Sequence, residues 1–128
     1  MNNRRSFIVG IKSVKLSLKE KRFIQKYKPW GIILFKRNIK SIKQSKKLTN
    51  DIRKIFKDNK YPILIDQEGG RVNRLENIIS LDNFTSEFFG KKYLKDQMKF
   101  EILFKLFIDK TSYLLNAIGV NINTVPVL

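Results

Sequence analysis

The chain has no cysteine and no histidine among its 128 residues. Without thiols there is neither a disulfide framework nor a thiolate metal site. Without imidazole the commonest general base and the commonest metal ligand are both missing. A histidine triad, a histidine acid/base pair or a zinc centre therefore cannot be built from this polypeptide alone, and no metal or cofactor is expected. No apolar run approaches the roughly 20 residues that cross a bilayer. Residues Met1 to Ser6 lead straight into a short strand-like segment rather than a long apolar one, which speaks against secretion and for a cytoplasmic location.

What is present is 42% apolar and 30% charged, the balance of one ordinary globular domain over residues 1–128 with a core of its own. Twenty-seven Lys and Arg against eleven Asp and Glu give a formal charge of +16, which raises nucleic acid or an anionic membrane surface as a partner. The cations, however, are mostly lysines scattered along the chain, as in Lys19-Glu20-Lys21-Arg22, Lys46-Lys47 and Lys91-Lys92. That is the pattern of solvated helix faces, and with no helix-turn-helix, RNA-recognition or zinc-finger pattern beside it, a nucleic-acid partner is not expected.

Apolar strand-like runs alternate with helical ones. Phe7 to Ile11 reads as a first strand, and Ser17-Leu18-Lys19-Glu20 as a capping box opening a helix through Phe23, Ile24 and Tyr27 that Pro29 stops. Gly31 to Phe35 is a second strand. A further capping box at Ser41 to Gln44 opens a helix carrying Leu48, Ile52, Ile55 and Phe56 on one face. Pro62 to Ile65 is the third strand, and a polar loop follows it. A long amphipathic helix then runs from Met98 to Ile118, capped by Gly119 ahead of a fourth strand at Val120 to Thr124. Strands alternating with helices imply a parallel sheet whose carboxyl ends open on one face, so Asn38, Asp66 and Pro126 are expected to share that rim.

The third strand delivers polar groups into a glycine turn: Ile65-Asp66-Gln67-Glu68-Gly69-Gly70-Arg71-Val72-Asn73-Arg74-Leu75. Ligands of α/β proteins bind at such junctions. A carboxylate at the rim is costly unless something bonds to it, while Gly69 and Gly70 allow a sharp turn and close approach. Asp66 only accepts hydrogen bonds and Arg74 only donates them, so the two can form an ion pair steadying the loop or clamp a polyhydroxylated ring from two sides.

This block, with Gly31 to Asn38 before it and Gly119 to Leu128 after it, resembles three successive blocks of the family 3 glycoside hydrolases, specifically the bacterial β-N-acetylhexosaminidases. The resemblance covers nearly the whole chain. It implies an α/β fold of the (β/α)8 TIM-barrel type, of which about the first four β/α units are present, a partial barrel. It also implies retaining hydrolysis of terminal β-linked N-acetylglucosamine, typically from peptidoglycan fragments recycled in the cytoplasm. On the family pattern Asp66 and Arg74 bind the terminal sugar. Glu68, Gly69, Gly70 and Arg71 shape the loop. The family's nucleophilic aspartate and its histidine/aspartate acid/base pair belong to later segments, so no catalytic residue is carried over and this chain alone is expected to be inactive.

Asp66 and Glu68 lie too close in sequence to straddle a glycosidic bond as the two carboxyl groups of a retaining glycosidase must. Arg37 and Asn38 follow a strand end, where a turn role suits Asn38 better than a ligand role. The aromatic residues Phe84, Phe88, Phe89, Tyr93, Phe100, Phe104 and Phe107 read mainly as packing rather than as a sugar platform, and Trp30 lies at the barrel's bottom. A TIM barrel usually takes about 250 residues and eight strands. A four-stranded portion would expose two strand edges and an inner face, so association with a complementary carboxyl-terminal half, self-association or poor solubility is expected. The alternatives are a non-catalytic carbohydrate-binding remnant on the same scaffold and a basic nucleic-acid or membrane-surface binder.

Overall fold

A computed structural model describes residues 4–125; Pro126, expected on the rim, lies outside them. The elements run β1 (Arg5–Gly10), α1 (Leu18–Tyr27), β2 (Pro29–Leu34), α2 (Ile42–Phe56), β3 (Ile63–Ile65), α3 (Ser86–Lys95), α4 (Gln97–Ile118) and β4 (Ile122–Asn123), with a short 3-10 turn at Lys36–Asn38. All three strand pairings are parallel and the order is β1-β2-β3-β4. Each strand therefore neighbours the next in sequence without the reversal that marks a doubly wound sheet, which is how the wall of a (β/α)8 barrel is laid down.

Local chemistry sets the helix ends. Ser17 Oγ accepts from the Glu20 amide at 3.2 Å and Glu20 Oε2 accepts from the Ser17 amide at 2.8 Å, a complete capping box. At α2 half of the expected box forms: Ser41 Oγ accepts from the Gln44 amide at 3.2 Å, while Gln44 Oε1 turns to the Lys40 amide at 2.8 Å. Lys28, left-handed at φ 47°, ends α1; Pro29, expected to stop that helix, instead opens β2 and is buried there. The polar loop expected between the third strand and the long helix contains α3, capped by Thr85 Oγ1 accepting from the Phe88 amide at 3.0 Å.

The core lies between sheet and helices. Ile32, Leu34, Ile63 and Ile65 face Ile24 of α1, Leu48 and Ile52 of α2, and Leu115 and Ile118 of α4. The sheet-facing residues of α4 are all in its last third: Thr111, Leu114, Leu115 and Ile118. The end of that helix is clasped by α2, with Thr49 Oγ1 donating to the Ile118 carbonyl at 2.9 Å and Arg53 Nη2 to the Gly119 carbonyl at 2.7 Å. Gly119 sits at φ 83°, and a Cβ there would stand 2.4 Å from Thr49 Oγ1. Among the described residues no helix lies over the opposite face of the sheet, where Ile8 of β1 is 46% exposed.

Candidate functional site

Alternation along β3 puts Ile63 and Ile65 toward the helices and leaves Leu64 outside that core cluster. Asp66, next in phase with the buried Leu64, is carried to the side away from the helices at the carboxyl end of the strand. There Arg74 donates through Nε to Asp66 Oδ1 at 2.9 Å and through Nη2 to Oδ2 at 2.8 Å. Both side chains stay about a quarter accessible, at 23% for Asp66 and 26% for Arg74. The Arg74 hydrogen bonds hold the Asp66 carboxyl below the ordinary carboxylate range, against a smaller opposing push from burial. The fork uses two of the roughly four lone-pair sites of the carboxylate, and Arg74 Nη1 has no partner among the described residues. The ring of Phe35, just past β2, lies 5.7 Å from the Arg74 guanidinium and 4.5 Å from that of Arg37. The clamp is thus backed by a flat apolar face.

The loop that returns Arg74 to Asp66 is held from within. Gln67, 2% exposed, accepts through Oε1 from the amides of Arg74 at 2.7 Å and Leu75 at 3.0 Å. Its backbone is fixed in turn by Asn123 of β4, whose Oδ1 accepts from the Gln67 amide at 3.0 Å and whose Nδ2 donates to the Gln67 carbonyl at 3.2 Å. Buried Asn73 donates to the Ile79 carbonyl and to Asp82. Gly69 and Gly70 adopt φ of 94° and 56°, and a Cβ on Gly69 would stand 2.5 Å from the Phe84 carbonyl. The two glycines shape the turn as expected from residues that tolerate positive φ.

Glu68 and Arg71 do not brace the loop with their side chains. Neither side chain makes a hydrogen bond or an ion pair among the described residues, and Arg71 is exposed. The bracing falls to Gln67, Asn73 and Asn123, which reach backbone groups that the longer charged side chains would leave for solvent. Asn38 is a turn residue, at the end of the 3-10 turn Lys36–Asn38. It is fully buried, donates to the carbonyls of Ile11 at 3.1 Å and Ser13 at 3.0 Å, and accepts from the Phe35 amide at 2.9 Å.

Beside Gln67 and Asn123 opens a cleft of about 590 Å³, lined by Phe89, Phe104, Phe107, Ile108 and Thr111. The aromatic residues of α3 and α4 pack on one another here, with Phe89 and Phe104 edge-to-face at 4.9 Å. Phe100, Phe104 and Phe107, read as packing residues, pack on Phe89 of α3 and line this cleft. Gln67 Nε2 and Thr111 Oγ1 are buried there without a partner among the described residues.

No protein-family model matches the chain. Curated relatives do. A β-hexosaminidase of Psychromonas ingrahamii is 38% identical over 81 residues, 63% of this chain and 22% of that protein. A β-hexosaminidase of Xanthomonas axonopodis pv. citri is 37% identical over 92 residues, 70% of this chain and 26% of that one. Among solved structures, NagZ of Neisseria gonorrhoeae superposes with a TM-score of 0.82 at 30% identity, over 98% of this chain and 37% of NagZ. The chain belongs to the family 3 glycoside hydrolases.

Within this family the similarity extends to a β-N-acetylglucosaminidase of Paenibacillus, with a TM-score of 0.63 at 25% identity. NagZ has also been solved with N-trifluoroacetyl-D-glucosamine, and that complex superposes with a TM-score of 0.83 over 96% of this chain. This chain spans 37% of NagZ and 22% to 26% of the curated relatives, so the four strands are a partial (β/α)8 barrel.

Proposed function

We propose that this chain supplies the sugar-gripping part of a β-N-acetylhexosaminidase site, with Asp66 accepting from hydroxyls of a terminal N-acetylglucosamine and Arg74 donating to oxygens of the same ring. The single observation that carries the reading is the accessible two-bond Asp66–Arg74 pair at the carboxyl end of β3. It retains free acceptor and donor sites at the end of a barrel strand where ligands of this fold bind. The reaction in view is retaining hydrolysis of terminal β-linked N-acetylglucosamine from peptidoglycan fragments recycled in the cytoplasm. Retaining hydrolysis requires two carboxyl-type groups about 5–5.5 Å apart across the scissile bond. Asp66 is engaged by Arg74 and Glu68 comes from the same loop, so the 128 residues bind the sugar and do not cleave the bond.

The strands that close the barrel pair with the free edge of β4 and cover the aromatic cleft, giving Gln67 Nε2 and Thr111 Oγ1 their missing partners. These strands form the complementary half of the site. The test is calorimetric titration of the chain with N-acetylglucosamine, alongside assay with a chromogenic N-acetylglucosaminide. Measurable binding that Asp66→Ala abolishes, with no turnover, is the expected result. Binding indifferent to Asp66→Ala would reduce the pair to a loop fastener, and turnover by the isolated chain would refute the missing-half reading.

A further inference from the structure

The outward side of α4 carries large apolar residues that nothing in the sheet explains. Met98, Ile102, Leu106 and Tyr113 are 72%, 59%, 60% and 67% exposed, and at 3.6 residues per turn they form one stripe. That stripe lies opposite the buried Thr111, Leu114, Leu115 and Ile118, which face the sheet. The helices of a (β/α)8 barrel form its outer ring, so strands completing the barrel meet the sheet side and flanks of α4 and leave this stripe bare. A helix that is apolar on two opposite faces needs cover on both.

The flanks of the stripe are basic. Lys99 and Lys110 lie along one border and Lys105 along the other, all exposed, and the one acidic residue inside the stripe, Asp109, is paired with Lys105 Nζ at 2.5 Å. The chain as a whole carries +16, a field that concentrates anionic surfaces and repels a second copy of itself. An apolar stripe bordered by lysines is how interfacial helices lie on anionic bilayers, their side chains entering the acyl boundary while lysines meet the headgroups.

We infer that α4 is a membrane-surface helix, docking the protein on anionic lipid through Met98, Ile102, Leu106 and Tyr113. This does not depend on the sugar reading, because the stripe lies away from the Asp66 rim. The test is flotation of the chain with vesicles of equal parts phosphatidylcholine and phosphatidylglycerol, against vesicles of phosphatidylcholine alone. Binding to the anionic vesicles, weakened by added salt, is expected. The double variant Ile102→Ala/Leu106→Ala keeps every charge, and it should lower partitioning about a hundredfold, as two buried aliphatic side chains imply, with no loss of folding by circular dichroism. Absence of binding to anionic vesicles, or binding that the alanine pair leaves unchanged, overturns the inference. So does a dimer, seen by analytical ultracentrifugation, that the same variant dissociates, because a second copy would then occupy the stripe.

Discussion

Arg74 grips Asp66 with two parallel bonds of 2.9 and 2.8 Å across eight positions of sequence. Two-pronged geometry of this kind fixes orientation as well as distance, because the guanidinium plane and the carboxylate plane must coincide.

The pair should show in the acid limb of stability. Arg74 holds the folded Asp66 carboxyl below its unfolded value, so the contribution is present above that unfolded value and vanishes as pH falls through the folded one. Arg74→Ala should lose about 1–2 kcal/mol at neutral pH. Below about pH 4 the gap to wild type should narrow. Urea unfolding of both proteins at neutral and acid pH measures this, and a gap that does not change with pH would deny the ion pair any part in stability.

Gln67→Leu should be costly for a residue that touches no solvent. The change leaves the amides of Arg74 and Leu75 without their acceptor, at about 1–3 kcal/mol for each buried donor left unmet. Arg74 would then lose its register on Asp66. Denaturation midpoints and N-acetylglucosamine affinity should fall together; a stable variant with unaltered affinity would remove Gln67 from its positioning role.

Two glycines predict opposite outcomes for one substitution. Gly69→Ala places a methyl 2.5 Å from the Phe84 carbonyl at a φ of 94° and should destabilise by about 1–3 kcal/mol. Gly90, inside α3, has nothing within 4 Å of the added methyl, so Gly90→Ala should stabilise by about 0.5–1 kcal/mol. Thermal unfolding of the two variants side by side gives the comparison. A shift of the same sign in both would mean that the glycine turn is not set by its backbone angles.

Tyr61 predicts the alkaline limb. Its hydroxyl is buried, donates to the Pro29 carbonyl at 2.8 Å, and is pushed well above its ordinary titration range by burial. A folded value above the unfolded one gives stability that is complete below the unfolded value of about 10 and is lost as pH rises toward the folded one. Tyr61→Phe should cost about 1 kcal/mol at neutral pH and flatten the alkaline decline. Unfolding midpoints between neutral pH and strongly alkaline buffer test it; an alkaline decline equally steep in Tyr61→Phe would place its origin elsewhere.

The strands were readable because parallel strands covered by helices leave unbroken aliphatic runs, and Ser17 and Ser41 announced their helices through hydroxyls poised over the third amide. The helix α3 was hidden because its cap is followed by Phe88 where a box would have Glu, and because Gly90 interrupts its middle. In the site, Asp66 and Arg74 were legible as an acceptor and a donor one turn of loop apart. The work of Gln67 and Asn123 was not, since an amide reveals its partners only once distant backbone has been brought to it. Charge misled in the same place: Glu68 and Arg71 look like braces in sequence, yet Arg71 is exposed and Glu68, half-buried, acts on Arg74 through its charge without a hydrogen bond among the described residues.

The clasp of Thr49 and Arg53 on the last carbonyls of α4 has a consequence for the order in which the molecule comes apart. β4 has two residues in the sheet, too few to anchor anything by themselves, so the fourth repeat hangs from its neighbour's helix more than from the ladder. Loosening that grip would free the tail of the fold, and with it Asn123, while the first three strands remained assembled. Opening would therefore start at the β4 margin of the sheet, the part of the fold held by the fewest ladder bonds.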